Sequence, residues 1–175
     1  TTEVCTFYNE NKQSYPSELD GQLKKALKDV ENSVGAIFGD SSNPLLLSVR
    51  SGARTSMPGM METVLNVGLN DSTREGLIAQ SGDPRFVYDA QRRLIQMYSD
   101  VVMEKASGIE PEEGMGIRNQ LEHELENMKE QNGVTEDTDL TAENLKDLVD
   151  IYKGKVLEAV SLYTSDAADD GLSVD

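Results

Sequence analysis

The chain has 175 residues, enough for one domain or two small subdomains. Its 16 Lys and Arg residues stand against 32 Asp and Glu residues, and the net charge of −16 argues against binding to nucleic acid or to an anionic membrane, because phosphate groups are bound by clustered cations. One cysteine and one histidine exclude an internal disulfide and a Cys/His metal cluster, and no apolar run approaches the roughly 18 residues that span a bilayer.

The first part of the chain, residues 1–70, predicts a mixture of helices and strands. A short helix is expected over residues 2–10, with Cys5 packed in the core. A second helix is expected between Ser17, which is positioned as an N-cap, and Gly35, which suits a helix C-terminus. The apolar residues that give this helix its periodicity are Leu19, Leu23, Leu27, Val30 and Val34. Two strands should follow, a buried one at 45–50 and another at 60–65.

The second part, residues 71–162, predicts only helices and loops. Asp71 is expected to cap a short helix, and Asp83 with Pro84 to begin a long one. The long helix should bury Phe86, Ala90, Leu94, Met97, Tyr98 and Val101. The rest of this part predicts a loop at 105–116, a helix that ends at Gly133 and a helix capped by Thr141. The acidic segment 163–175 is interpreted as a disordered tail or an artefact of assembled sequencing reads.

The most informative stretch is LLLSVRSGARTSMPGMMETVLNVGLND, residues 45–71. The predicted strand ends at Arg50, directly before a turn of small residues, and Arg54 adds a second cation. Guanidinium groups and turn amides together suit a polyphosphate, and residues 45–61 contain no acidic side chain in a very acidic chain. The alternative is that both arginines pair with surface acids. The stretch matches neither the Walker A nor the dinucleotide-binding pattern.

Three motifs carry a resemblance to a known family: the stretch 45–71, the run YDAQRRLIQMYSDVV at 88–102 and the run TDLTAENLK at 138–146. In this order they resemble the N-terminal region of pyruvate phosphate dikinases, and the similarity covers roughly residues 1–162. The resemblance implies an α+β, mostly helical chain. It would form part of the first subdomain of an ATP-grasp nucleotide-binding domain, with an all-helical subdomain inserted.

The resemblance also implies roles for single residues. Arg50 corresponds to the arginine that contacts the ATP phosphates and is the candidate catalytic residue. Arg54, Gly59 and Thr63 are further candidates for binding the nucleotide. The implied reaction converts ATP, phosphate and pyruvate to AMP, diphosphate and phosphoenolpyruvate with Mg²⁺, through a phosphorylated histidine on a separate domain.

Several parts of that machinery are expected to lie outside this chain. The family's Gly-Gly-Lys-Gly segment, with its catalytic lysine, would precede residue 1, and the acidic Mg²⁺ ligands would follow the C-terminus. The resemblance therefore predicts no metal ligand here and no activity for the chain by itself. The full-length protein is expected to be a cytoplasmic homodimer, with a plastid or another organelle left open.

Two alternatives are left open. A phosphoenolpyruvate synthase would have the same type of ATP-binding region, although the run 57–61, MPGMM, favours a dikinase. A non-catalytic acidic helical module that binds a partner protein would use Arg50 and Arg54 only in ion pairs.

Other polar residues give weaker indications of function. His123 lies on a charged helix face without the small residues that surround a phosphocarrier histidine, so it is not assigned that role. We expect Glu122, Glu124 and Glu126 to be solvated. Arg92 and Arg93 are expected to form pairs at the surface or between subdomains.

Overall fold

The computed structural model describes residues 2–50, 63–105, 108–112 and 114–170, and it describes side chains only as far as residue 161. Contacts divide the chain into two compact units, Thr1–Gln80 and Ser81–Asp175. The described residues are mostly helical with one small two-stranded sheet, which is compatible with the expected α+β class. The domain assignment made from the sequence, with its boundary at residue 70, stays a prediction.

The first unit contains two helices, a hairpin and a third helix. The elements are α1 (Thr2–Glu10), α2 (Leu19–Val34), β1 (Leu47–Arg50), β2 (Thr63–Val67) and α3 (Asp71–Ser81). The buried hydrophobic residues described in this unit are Leu45, Val64 and Leu69. The helices and strands were predicted correctly to within a few residues, but little of their apolar surface is covered.

The two first helices correct two predictions. Ser17 does not cap α2: the helix begins at Leu19, and Glu18 occupies the cap position in a helical conformation without a side-chain hydrogen bond. Gly35 ends α2 in the left-handed conformation, as predicted. Cys5 is exposed rather than in the core, because α1 lies on the surface of the unit.

The strands and α3 differ from expectation in burial and capping. The strand predicted to be buried, β1, is exposed from Ser48 to Arg50. Asp71 is not the cap of α3. Asn70 is, since its Oδ1 accepts from the amide of Thr73 at 3.1 Å, while its own amide donates to Thr73 Oγ1 at 2.9 Å.

The second unit is a small helical bundle with a closed core. Its elements are α4 (Pro84–Tyr98), a π-helix (Ser99–Glu104), α5 (Ile117–Asn132), a 3₁₀-helix (Asp137–Asp139) and α6 (Ala142–Asp170). Helix α6 packs against both α4 and α5. Its buried hydrophobic residues are Val87, Tyr88, Ala90, Ile117, Leu121, Leu125, Met128, Leu140, Leu145, Leu148, Val149, Tyr152 and Ala159.

The caps of this bundle were predicted correctly. Asp83 accepts from the amide of Phe86 at 3.0 Å, Gly133 ends α5 in the left-handed conformation, and Thr141 Oγ1 accepts from the amide of Asn144 at 3.2 Å. The predicted buried face of α4 was partly wrong, because Phe86 and Tyr98 are 54% and 46% exposed.

The structure continues α6 to Asp170, through part of the segment interpreted as a tail, and the nature of that segment stays a prediction. Among the residues that the structure describes, no helix is both long and apolar enough to cross a membrane.

Candidate functional site

The β1–β2 hairpin brings two of the predicted site residues together. The strands are antiparallel, and Arg50 at the end of β1 is the cross-strand partner of Thr63 at the start of β2. Side chains of directly opposed residues share one face of a sheet, with Cβ atoms about 4.5–5.5 Å apart. A guanidinium and a hydroxyl therefore stand side by side where the two strands meet the intervening segment.

Arg50 is exposed at the end of β1. No ion pair or side-chain hydrogen bond joins its guanidinium to any described residue. Other arginines are paired: Arg74 with Asp71, and Arg93 with Asp89.

Two of the predicted site residues cannot be placed. Arg54 and Gly59 lie within residues 51–62, outside the described residues, and so do the methionines at 57, 60 and 61. The roles of Arg54 and Gly59 stay predictions.

The hairpin is anchored by a close contact at its far end. Gly68 has φ of 107°, and a Cβ built there would lie 2.8 Å from the Phe38 ring and 2.9 Å from the carbonyl oxygen of Leu45. Thr73 is fully buried, and its hydroxyl donates to the carbonyl of Gly68 at 2.8 Å. Only glycine fits at position 68. The hydrogen bond from Thr73 ties the end of β2 to the start of α3.

The loop before β1 is also fixed to α3. Gln80 donates to the carbonyl of Ser42 at 2.9 Å and to Asn43 Oδ1 at 3.0 Å. Hydrogen bonds from the amide of Asn43 and from Ser42 hold the pKa of Asp40 below its ordinary value. Gly76 on α3 packs directly on this loop, because a Cβ there would overlap the carbonyl oxygen of Ser41. These contacts were not predicted, since they join residues about 40 positions apart.

The second unit contains a buried ionic cluster around Arg92, whose burial was not predicted. Arg92 is 3% exposed and pairs with Asp89 at 2.7 Å and with Asp137 at 2.9 Å, so it forms neither a surface pair nor an inter-subdomain pair. Lys129 also reaches Asp137, at 3.4 Å, and its hydrogen bond to Glu126 is the main cause that raises the pKa of Lys129. The prediction of a surface pair holds for Arg93.

Arg85 completes this cluster. It donates to the carbonyl oxygens of Asp137 and Leu140, both at 2.8 Å. Side chains from α4 and α5 thus hold the turn at 137–140 in place. Each charged group of the cluster is ion-paired or hydrogen-bonded inside the unit, so we interpret the cluster as structural.

His123 is exposed on α5, as expected of a charged helix face. Its acidic neighbours are less solvated than predicted. Glu122 accepts from Arg118 at 2.9 Å and from Gln96 at 3.2 Å, and Glu124 pairs with Lys155 at 3.6 Å. Glu122 and Glu124 are therefore half-buried at helix contacts, whereas Glu126 is exposed.

An open cavity of about 350 Å³ lies at the start of α5. The buried Glu104, from the π-helix, already occupies this helix N-terminus, where its carboxylate accepts from the amide of Ile117 at 2.7 Å. Asp100 on the cavity wall pairs with Lys105 at 3.1 Å. Within the described ranges, no group of three or more His, Cys, Asp or Glu side chains could hold a metal ion.

Comparison with known proteins identifies close relatives over nearly the whole chain. It is 48% identical over 162 residues to a pyruvate, phosphate dikinase of Clostridium symbiosum, 46% identical over 159 residues to pyruvate, phosphate dikinase 2 of Zea mays, and 48% identical over 160 residues to the chloroplastic pyruvate, phosphate dikinase 1 of Arabidopsis thaliana. These matches cover 91–92% of this chain but only 15–17% of each relative. No family model matches the chain.

The resemblance predicted from the three sequence motifs is thus confirmed: the chain is homologous to a segment of pyruvate, phosphate dikinases, which are enzymes.

Proposed function

We propose that the chain is the part of a pyruvate, phosphate dikinase that contributes Arg50 to the binding of ATP. The identity of 46–48% to dikinases over more than nine-tenths of the chain is the observation that carries this proposal. In the whole enzyme, ATP, phosphate and pyruvate would give AMP, diphosphate and phosphoenolpyruvate. The ATP-grasp architecture, with the nucleotide between two subdomains, is part of the same proposal.

The hairpin geometry supports a contact with phosphate. The guanidinium of Arg50 would bind two phosphate oxygens as a fork, and the hydroxyl of Thr63 on the same face would reach a neighbouring oxygen. Phosphoryl transfer depends mostly on positioning and on stabilising charge that develops on the phosphates. Arg50 would supply that charge stabilisation, with Arg54 as a second cation and Gly59 allowing close approach of the backbone.

Other parts of the whole enzyme would come from polypeptide outside this chain. We assign the Mg²⁺ ligands, the catalytic lysine and the phosphocarrier histidine to it. The partners proposed for the whole protein are pyruvate, phosphate, the domain that carries this histidine and a second subunit. We propose a cytoplasmic location, with a plastid as the alternative that the chloroplastic plant relatives suggest.

The test is a chimera in which this chain replaces the matching segment of the Clostridium symbiosum relative. We expect the chimera to form phosphoenolpyruvate in a phosphate-dependent reaction. Arg50→Ala should lower kcat about 10²–10³-fold, and Arg50→Lys should remain impaired, because an ammonium group cannot bind two oxygens as a fork. Arg93→Ala is the matched control, since Arg93 is an exposed arginine that pairs with Asp89 on the same helix.

Each failure has a distinct meaning. Turnover that needs no phosphate would favour a phosphoenolpyruvate synthase. An Arg50→Ala chimera with unchanged turnover and ATP affinity would favour a non-catalytic interaction module.

A second prediction concerns the chain alone, which should convert no ATP and bind Mg-ATP weakly or not at all. An exposed ion pair contributes only about 0–1 kcal/mol, far less than the roughly 4–15 kcal/mol that association costs. Calorimetry with Mg-ATP and an assay for AMP check this. Micromolar binding, or AMP above the blank, would mean that the chain holds a complete site.

A further inference from the structure

Strand β2 contains a β-bulge close to the two candidate site residues. The cross-strand pairs along the hairpin are Leu47 with Val67, Val49 with Val64 and Arg50 with Thr63. Between the first two of these pairs β1 advances by two residues and β2 by three, so β2 carries one extra residue. Asn66 lies in this stretch of β2, and its φ of 59° is in the left-handed region.

The conformation of Asn66 suits the bulge and not a regular strand. Asparagine adopts the left-handed region more readily than most residues, whereas a β-branched residue is strained there. One class of β-bulge accommodates its extra residue through a left-handed residue of this kind. Asparagine is also depleted in regular strands. The residue type at position 66 therefore favours the bulged register over the regular one.

The hairpin is held in place on the α3 side of the bulge. The carbonyl of Asn66 accepts from the amide of Leu69 at 3.0 Å, and Leu69 is buried. Gly68 packs closely on the carbonyl of Leu45, whose amide donates to the carbonyl of Ile37 at 2.9 Å. Because both strands are fixed at this end, the extra residue changes the pairing on the other side of the bulge.

The bulge determines which residue of β2 stands beside Arg50. In a regular ladder, three steps along each strand from the pair of Leu47 and Val67 would bring Arg50 opposite Val64. Side chains alternate between the faces of a strand, so Thr63 would then lie on the other face of the sheet from Arg50. With the bulge, Thr63 shares the face of Arg50, and Val64 turns to the opposite face, where it is 6% exposed.

We propose that Asn66 is a positioning residue for the binding of phosphate. Its left-handed conformation stabilises the bulge, and the bulge brings the Thr63 hydroxyl beside the Arg50 guanidinium. This inference rests on the proposed function, in which Arg50 and Thr63 contact the phosphates of ATP. Bulges next to active sites commonly re-aim a side chain in this way. Asn66 acts through Thr63 and needs no contact of its own with the nucleotide.

Substitutions at position 66 of the chimera test this role. Asn66→Gly keeps access to the left-handed region and should keep kcat within about threefold of the parent. Asn66→Val favours a regular strand and should lower kcat by roughly 10–100-fold, about as much as Thr63→Val. Gln13→Val is the matched control, because Gln13 is an exposed residue with nearly the same φ, 60°, outside the hairpin. This control should leave kcat unchanged.

A double substitution separates positioning from a general loss of structure. In a chimera that already carries Thr63→Val, adding Asn66→Val should lower kcat by less than about threefold, because no hydroxyl is left to misplace. An undiminished loss in this background would overturn the proposal, since Asn66 would then act through another group. If Asn66→Val does not fold, Asn66→Ala replaces it, because alanine also disfavours the left-handed region. A kcat equal to that of Asn66→Gly would then contradict the proposal.

Nuclear Overhauser contacts in the chain alone report the register independently of turnover. Arg50 should contact Thr63 across the strands in the parent and in Asn66→Gly, and Val64 in Asn66→Val. An unchanged contact in Asn66→Val would overturn the proposal. An Arg50→Ala chimera with unchanged turnover would contradict the proposed function instead. A shifted contact in Asn66→Val would in that case still support Asn66 as the residue that sets the register.

Discussion

The two units of this chain differ sharply in how they bury apolar side chains. In the described residues, three hydrophobic residues are buried in the first unit and thirteen in the second. The first unit nevertheless carries the candidate site, at Arg50 and Thr63. The helical unit has a complete core, whereas the hairpin unit is held by hydrogen bonds and close glycine contacts around α3. The candidate site is thus located in the unit that buries fewer hydrophobic residues.

The largest expected effect tests the difference in packing directly. Leu121 is fully buried on α5, and Leu121→Ala should lower the free energy of unfolding of the second unit by about 2–5 kcal/mol. In the chain alone, Leu23→Ala on α2 should change stability by less than about 0.5 kcal/mol, because the side chain contacts mostly water. Urea unfolding followed by circular dichroism measures both. Similar losses for the two variants would mean that α2 is packed in the chain alone.

Another prediction concerns the pH dependence of the stability of the second unit. Burial raises the pKa of Tyr152 to about 12, against the lowering effect of the Arg92 guanidinium. The folded state therefore holds the phenol proton more tightly than the unfolded state. The resulting stability is fully present below pH of about 10 and is lost as pH rises toward 12, by about 2–3 kcal/mol. The first unit has no comparably buried tyrosine among its described residues.

Tyr152→Phe should remove this loss. It should also be nearly neutral at pH 7: the Arg92 guanidinium lies near enough to the Tyr152 hydroxyl to lower its pKa, but it makes no hydrogen bond of good geometry with that buried hydroxyl. Tyr98→Phe, at a tyrosine that is 46% exposed, is the control. An unchanged alkaline loss in Tyr152→Phe would assign the loss to other groups.

The smallest expected effects concern glycine. Gly76→Ala should destabilise the first unit by about 1–3 kcal/mol, because its Cβ would overlap the Ser41 carbonyl oxygen. Gly154→Ala should stabilise α6 by about 0.5–1 kcal/mol, since a Cβ there meets no atom within 4 Å and alanine favours the helix. Thermal unfolding with each substitution compares the two. Equal effects would show that the loop before β1 adjusts easily to a Cβ at position 76. The contact of this loop with α3 would then contribute little to stability.

Local signals in the sequence predicted much of this architecture. Gly35 and Gly133 end α2 and α5 in the left-handed conformation, as expected from residue type and position. Asp83 and Thr141 cap the N-termini of α4 and α6, also as expected. Two strands were predicted from the apolar run at 45–50 and from Thr63 and Val64, and three motifs were enough to identify the dikinase resemblance. Each of these features depends on a few neighbouring residues, or on a pattern along the chain, and needs no knowledge of what packs against it.

Burial and long-range pairing were decided only by the tertiary structure. Arg92 was expected to pair at the surface or between subdomains and is almost fully buried between Asp89 and Asp137, whereas Phe86 was expected in the core and is exposed. Periodicity shows that a helix has an apolar face, but the neighbouring helices determine how far that face turns inward. The sequence by itself therefore determined most of the elements, several of their ends and the resemblance to dikinases. The fold decided which side chains are covered, because burial depends on partners distant in the chain.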